Sequence, residues 1–416
     1  MNIGLLVIGD EILNGKISDL NAAWLTRFVQ QTPLALKSVI FVKDDEKEMM
    51  DGLKYLSERS DIILTTGGIG PTKDDKTKEV MAKFHGKKLI ENQDAKNLAI
   101  KLYQKINREW SADKSNYHML PEDFIATDNP GGLAPGLVFH TEDKIYMSAP
   151  GVPREFQLMF EQVFLPIILD KAGDDRKEYE IFNIRTFGIP EEKIFFELCP
   201  NLWEELETFG KVASLPQVTG VDITLVLEKN NEIENKKNKI KAIIENSPLK
   251  ESIWQYGMLS LPSFILEVAK SKKLTFSFAE SCTGGLSSSR ITDISGSSAA
   301  FLGGVVAYDN QVKIDLLGVK ENTLKTYGAV SAQTAKEMAE GCRTHLKTDL
   351  AISYSGIAGP GGGSVEKPVG TVAIGWATAN DSGSDIYHFH GDREKLKMRF
   401  SEKGLYKLLE LINTIK

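Results

Sequence analysis

Short apolar runs alternate with stretches whose apolar residues recur at helical spacing, and they do so near both ends of this 416-residue chain. Residues 3–8, 38–42, 61–66 and 144–149 read as buried strands. Between them, Leu20, Ala23, Trp24 and Phe28 make one apolar helical face, and Met49, Met50, Leu53 and Leu56 make another. The pattern resumes after residue 261, with strands at 274–279, 301–308, 350–355, 369–377 and 386–389. Helices fall near 285–293, 331–345 and 393–412. Alternation of this kind predicts α/β folding, with parallel sheets covered by helices on both faces. It also says where chemistry belongs, because open sheets bind ligands beyond the carboxyl ends of their strands.

Between the two patterned regions the chain changes character. Phe156, Met159, Phe160, Val163, Phe164, Ile167 and Ile168 predict a helix that closes the first region. Residues 221–227 are strand-like, whereas 229–241 are polar and charged and read as a helix end or exposed connection. The expected organisation is three domains: an α/β domain at 1–172, a small α+β module at 173–255 and a second α/β domain at 256–416.

Composition excludes several classes. With 42% hydrophobic and 26% charged residues the chain reads as globular, and a net charge of −7 disfavours a general nucleic-acid binder. Three widely spaced cysteines without a CxxC make neither a disulfide framework nor a thiolate metal site, so a reducing cytoplasm is the expected compartment. No apolar stretch approaches the roughly 18 residues of a membrane span. The first apolar run lacks a basic flank and meets Asp10 and Glu11 at once, so it reads as a strand.

Two glycine-rich turns carry the chemistry expected of the C-terminal region. Glu280-Ser281-Cys282-Thr283-Gly284-Gly285 follows one strand, and Gly356-Ile357-Ala358-Gly359-Pro360 follows another. A hydroxyl at a strand-to-helix turn is accessible, and neighbouring backbone N–H groups can bind anionic oxygens. The rival reading makes Ser281 an ordinary helix cap. A nucleophilic serine needs a base; no histidine lies in these motifs, and Lys313, in Tyr308-Asp309-Asn310-Gln311-Val312-Lys313, can serve if desolvation lowers its pKa. Arg393 and Arg399 can clamp a phosphate. Cys282 is adjacent but ranks below Ser281, since a free cysteine is usually a small buried hydrophobe.

In the N-terminal region, Thr65-Thr66-Gly67-Gly68-Ile69-Gly70-Pro71-Thr72 leads into Asp74 and Asp75. Small residues let a ligand lie against the backbone, and the carboxylates, with Asp10, can hold a divalent metal. The alternative is a tight turn whose aspartates cap a helix. The absence of a GxGxxG disfavours a dinucleotide redox fold.

Together these motifs, with Gly328-Ala329-Val330-Ser331, Lys367-Pro368-Val369-Gly370-Thr371-Val372 and Asn129-Pro130-Gly131-Gly132, resemble the CinA family over essentially the whole chain. The resemblance implies a molybdopterin-binding-like domain at 1–172, a KH-like domain at 173–255 and a CinA amidohydrolase domain at 256–416. No GxxG occurs between 173 and 252, which removes the usual nucleic-acid clamp of a KH domain. For the C-terminal domain it implies conversion of nicotinamide mononucleotide to nicotinate mononucleotide and ammonia, without a cofactor. Ser281 would be the nucleophile, Lys313 the base and Tyr308 an assistant. Cys282, Thr283, Gly284, Gly285, Gly356, Ala358, Gly359, Arg393 and Arg399 would line the substrate. For the N-terminal domain it implies hydrolysis of ADP-ribose to AMP and ribose 5-phosphate. There Thr66, Gly67, Gly68, Gly70 and Asn129 would bind substrate, with a divalent metal ion on Asp74, Asp75 and Asp10. Expected partners are small-molecule nucleotides and a second copy of the chain in a homodimer, with neither membrane nor nucleic acid. A non-catalytic molybdopterin- or nucleotide-binding protein, acting in competence or the DNA-damage response through partners, is the competing expectation.

Overall fold

The computed structural model describes residues 1–416 apart from 31, 73, 114, 173–177 and 416. The expected boundary at 172/173 adjoins residues outside the described ones. Two compact units are formed, one from residues 1–181, 208–211 and 225–240, the other from 182–207, 212–224 and 241–416.

The first unit holds a six-stranded sheet in the order Ala35–Val42, Asn2–Ile8, Ile62–Thr66, Ile145–Ala149, Gly136–His140, Ile125–Thr127. Its first four strands are parallel, as the alternation predicts, and the last two run antiparallel. That antiparallel edge was not legible, because apolar periodicity carries no strand direction. Helix Asn21–Val29 buries Ala22, Leu25 and Val29, with Trp24 and Phe28 half-buried beside them and Leu20 outside. It packs on the segment Pro153–Met159, Phe160–Phe164 and Leu165–Ala172, which is helical throughout with a π turn at its centre. Trp24 meets Phe156 and Phe160 edge-on at 6.0 and 5.9 Å. Burying each of those phenylalanines completely contributes about 1.5–3 kcal/mol. On the opposite face, helix Glu46–Ser57 inserts Met49, Leu53 and Leu56; the Asp45 carboxylate caps it by accepting from the N–H groups of Lys47 and Glu48.

A four-stranded sheet follows, in the order Lys211–Pro216, Val221–Glu228, Tyr179–Thr186, Ile253–Tyr256. The polar stretch at 229–241 enters helix Ile233–Glu245.

The second unit is built on a five-stranded sheet, Phe301–Val306, Phe276–Glu280, Leu350–Gly356, Thr371–Ala377, Ser382–His388. The first three pair in parallel, and Thr371–Ala377 runs antiparallel to both its neighbours. Alternate side chains of its central strands serve two cores. Phe276, Phe278, Ile352 and Tyr354 pack with helices Leu261–Ser271 and Arg393–Thr414, while Ala279 and Ala351 face Met338 and Cys342 of helix Ala332–Leu346. The fold is thus α/β, with mixed rather than wholly parallel sheets.

Close approach of the last helix to the sheet depends on Gly404. A Cβ there would lie 2.1 Å from Cε1 of Tyr354, a ring that is fully buried. Alanine in a helix interior is worth about 1 kcal/mol over glycine, but overpacking costs about 1–3 kcal/mol. Gly404→Ala should therefore lower stability, and chemical denaturation should show its midpoint falling rather than rising.

Candidate functional sites

The N-terminal cleft, of about 620 Å³, opens where strands Asn2–Ile8, Ile62–Thr66 and Ile145–Ala149 end. Its lining includes Glu11, Asp44, Gly67, Gly68, Gly70, Asp74, Asp75 and Glu155. Gly67 and Gly68 are left-handed, with φ of +103° and +67°. A Cβ on Gly67 would fall 2.3 Å from the Ile8 carbonyl oxygen, so only glycine fits there. Gly70 N–H and Thr72 N–H donate to the two carboxylate oxygens of Asp75, each at 2.8 Å. Asp75 therefore braces the glycine loop, which is the turn-forming role weighed against metal binding.

Thr66 and Asn129, expected to touch substrate, are buried and committed elsewhere. The Thr66 hydroxyl donates to the Pro150 carbonyl and accepts from the Asn21 amide. Asn129 donates to the Ala134 carbonyl and the Glu155 carboxylate and accepts from Gly131 N–H, which shapes the loop that lines the cleft. Both act as braces for cleft walls. Asn21, Asp44 and Glu155 were not singled out in the sequence, since none stands within the glycine motifs.

Asp10, Glu11, Asp44 and Asp74 gather at one side. Burial raises the Asp44 carboxyl above the usual range, the like charges of Asp10, Glu11 and Asp74 add to this, and the Asp10 N–H donated to Asp44 opposes it. Among the described residues no group of three or more His, Cys, Asp or Glu side chains is arranged to hold a metal ion by itself. The acidic set fits a cation that shares its coordination with ligand oxygens, as Mg²⁺ commonly does through one or two carboxylates. A self-sufficient cage does not fit.

In the second unit the strand Phe276–Glu280 runs into a turn and then helix Leu286–Thr292. Gly284 and Gly285 are left-handed, with φ of +62° and +91°. Glu280, fully buried, folds back over the turn: its carboxylate accepts from Ser287 N–H at 3.0 Å, Ser288 N–H at 2.8 Å and the Ser288 hydroxyl at 2.6 Å. The first-turn amides of the helix are thereby taken. Ser281 N–H donates to the Tyr354 carbonyl and Gly284 N–H to the Ser281 carbonyl. The N–H groups of Cys282, Thr283 and Gly285 have no backbone acceptor among the described residues; the first two lean only on the Cys282 sulfur, a weak acceptor, so the three can serve an oxyanion. The Ser281 hydroxyl likewise makes no hydrogen bond there and caps no helix.

Lys313 is almost wholly buried in helix Asn310–Leu317, its ammonium donating to the Tyr308 carbonyl at 3.0 Å. Burial pushes its pKa below the ordinary lysine value, against the opposing pull of Asp309 and Cys282. Burial pushes the Cys282 thiol up to about 12, with Lys313 lowering it in part. Lys313 and Cys282 thus act on one another electrostatically, and burial keeps the Cys282 thiol protonated. Arg393 donates to the Gly359 carbonyl at 2.7 Å and to the Tyr308 hydroxyl at 3.2 Å. It joins the second glycine loop to the Tyr308–Lys313 segment. Ala358 is buried with Cys282 in the same core, and Thr283 is fully buried with its hydroxyl unpartnered.

Arg399 does not join this set. It donates to the His390 carbonyl and lines a separate cleft with Lys403. Six residues beyond Arg393, it lies about 120° round the helix from it. Lys397, four residues on, takes its place: a Cβ on Gly284 would be 3.8 Å from the Lys397 ammonium nitrogen. The i,i+4 spacing from Arg393 could have revealed Lys397.

Family models match both ends of the chain. The CinA C-terminal domain family matches residues 259–412, and the probable molybdopterin binding domain family matches 4–170. The chain is 38% identical over 413 residues to a protein of Halothermothrix orenii described as competence-damage inducible, covering 97% of each chain. It is 35% identical to one of the same description from Thermoanaerobacter pseudethanolicus, covering 95% of this chain and 94% of that one. A solved structure, the competence/damage inducible protein CihA from Agrobacterium tumefaciens, is 39% identical over 37% of this chain and 93% of its own, with a TM-score of 0.36. No helix among the described residues is long and apolar enough to cross a membrane.

Glu280→Gln replaces one acceptor oxygen by an NH₂ group facing donors, so stability should fall by about 1–3 kcal/mol in denaturant titrations. The same change should raise amide hydrogen exchange at Ser287 and Ser288.

Proposed function

Because this chain belongs to the CinA family of competence-damage inducible proteins, we propose that it is a bifunctional hydrolase of pyridine nucleotides. The observation that carries the proposal is the Ser281 turn, with its unbonded hydroxyl, beside the buried ammonium of Lys313. In the C-terminal site the substrate is nicotinamide mononucleotide. Neutral Lys313 takes the Ser281 proton as Oγ attacks the carboxamide carbon, and the Cys282, Thr283 and Gly285 amides receive the oxyanion. Lys313 returns the proton to the leaving nitrogen, ammonia departs, and water then cleaves the ester to release nicotinate mononucleotide and restore Ser281. The pyridinium charge of the bound substrate favours neutral Lys313. Arg393 and Lys397 suit the phosphate, and the exposed Tyr308 hydroxyl, held by Arg393, orients the ribose side.

In the N-terminal cleft the substrate is ADP-ribose, cleaved to AMP and ribose 5-phosphate. The left-handed Gly67-Gly68 turn admits the diphosphate close to the backbone. Asp74 and Asp10, with Glu11 and Asp44 beside them, would hold a divalent cation, which supplies charge neutralisation on the diphosphate.

Three results are expected. Wild-type protein releases ammonia from nicotinamide mononucleotide, and Ser281→Ala lowers kcat at least about a thousandfold with the fold retained; full activity in that variant would remove the mechanism. The rate rises with pH, about tenfold per unit, and levels off below the ordinary lysine value, because the base must be deprotonated and burial depresses its pKa. A flat pH–rate profile contradicts Lys313 as base. ADP-ribose turnover requires an added divalent metal and falls at least about tenfold in Asp74→Asn; binding without turnover with any metal would favour a sensor role for this domain.

A further inference from the structure

The last helix carries Arg399 and Lys403 at i,i+4 spacing, and this pair lines a cleft other than the one at Ser281. This cleft, of about 530 Å³, is enclosed by the loop at 187–192, the hairpin turn at 216–221, and Tyr387, Phe389, Arg399 and Lys403. Its size is that of a small-molecule site.

Three chemistries meet in it. The first is cationic. Arg399 spends one N–H on the His390 carbonyl and has no carboxylate partner among the described residues. The Lys403 ammonium lies over ring faces, 5.0 Å from the Phe187 centroid and 4.6 Å from that of Tyr387, and forms no ion pair among the described residues. Its neighbour Lys407 takes the carboxylates of Asp385 and Glu410 instead. The second is flat and apolar: Tyr387 and Phe389 stack at 6.4 Å, with Pro216 and the exposed Val218 across from them on the hairpin. The third is acidic, since Glu191 and Glu192 also line the cleft and form no ion pair among the described residues.

A lone anion site would not need the apolar wall, and a purely apolar ligand would leave two desolvated cations unmatched. We propose that this cleft binds a nucleoside monophosphate, with the phosphate between Arg399 and Lys403, the base against Tyr387 and Phe389, and sugar hydroxyls or an exocyclic amine donating to Glu191 or Glu192. The site is separate from both hydrolytic centres. Its cations come from the same helix as Arg393 and Lys397 but from a face about 120° away.

Isothermal titration of the full chain with AMP, adenosine and inorganic phosphate tests this. One AMP-binding event should weaken at least about tenfold in Arg399→Ala and in Lys403→Met, and persist in Arg393→Ala. Adenosine and phosphate alone should each bind at least about tenfold more weakly than AMP. If Lys403→Met fails to fold, Val218→Asp on the exposed hairpin supplies the same readout by placing a carboxylate in the cleft against the bound anionic nucleotide. The proposal is overturned if AMP does not bind, if its isotherm is the same in wild type, Arg399→Ala and Val218→Asp, or if Arg393→Ala alone abolishes it. Phosphate binding as tightly as AMP would overturn the role of the aromatic wall.

Discussion

One buried carboxylate fixes the geometry of the C-terminal site. Glu280 sits at the end of a central strand with no exposure, where an unpaired charge would be costly, and it is matched by two backbone N–H groups and a hydroxyl from the first turn of the next helix. Its negative charge also lies at the positive end of that helix. The consequence reaches the next five residues. With the helix start tied to the strand end, the intervening turn must close through two left-handed glycines, and Ser281 is left at its mouth. The amides that the carboxylate does not take are those nearest the serine. In the first unit Asp75 and Asn129 do similar work, accepting or donating to loop backbone so that the glycine-lined wall keeps its shape.

Much of this was legible in the chain itself. Strand positions and most helices followed from apolar periodicity, and both glycine-rich turns fell at strand ends as the α/β pattern requires. Direction was not legible: the antiparallel strands Gly136–His140 and Thr371–Ala377 look like any other apolar run. Side-chain destination was the second gap. Thr66, Asn129 and Asp75 are polar residues in ligand-like motifs, yet their hydrogen bonds go to the protein's own backbone and side chains. Residue type alone does not separate a group that binds a ligand from one that braces the wall behind it. Arg399 shows a third gap, since two arginines close in sequence on one helix face different clefts.

The electrostatics of the two sites are opposite, and each suits its proposed ligand. The N-terminal cleft concentrates carboxylates, which favours a positively charged partner before any anionic diphosphate can settle. At the C-terminal turn a cation is buried instead, and desolvation works against its charge. A lysine so placed gains from losing its proton, which is the state a base needs.

The helix Arg393–Thr414 also sets an order of events in folding. It packs against the strand Leu350–Gly356 and shares one core with Phe276 and Phe278 through Leu396, Phe400, Leu405 and Leu408, and its Ser401 meets Ser287 across 114 residues of sequence. Contacts so distant along the chain form slowly, because a long loop must close before they give any return. Until that helix arrives, Phe276 and Phe278 present a bare apolar ribbon to solvent and to other chains. Intermediates of this unit that lack the helix therefore depend on protection from aggregation.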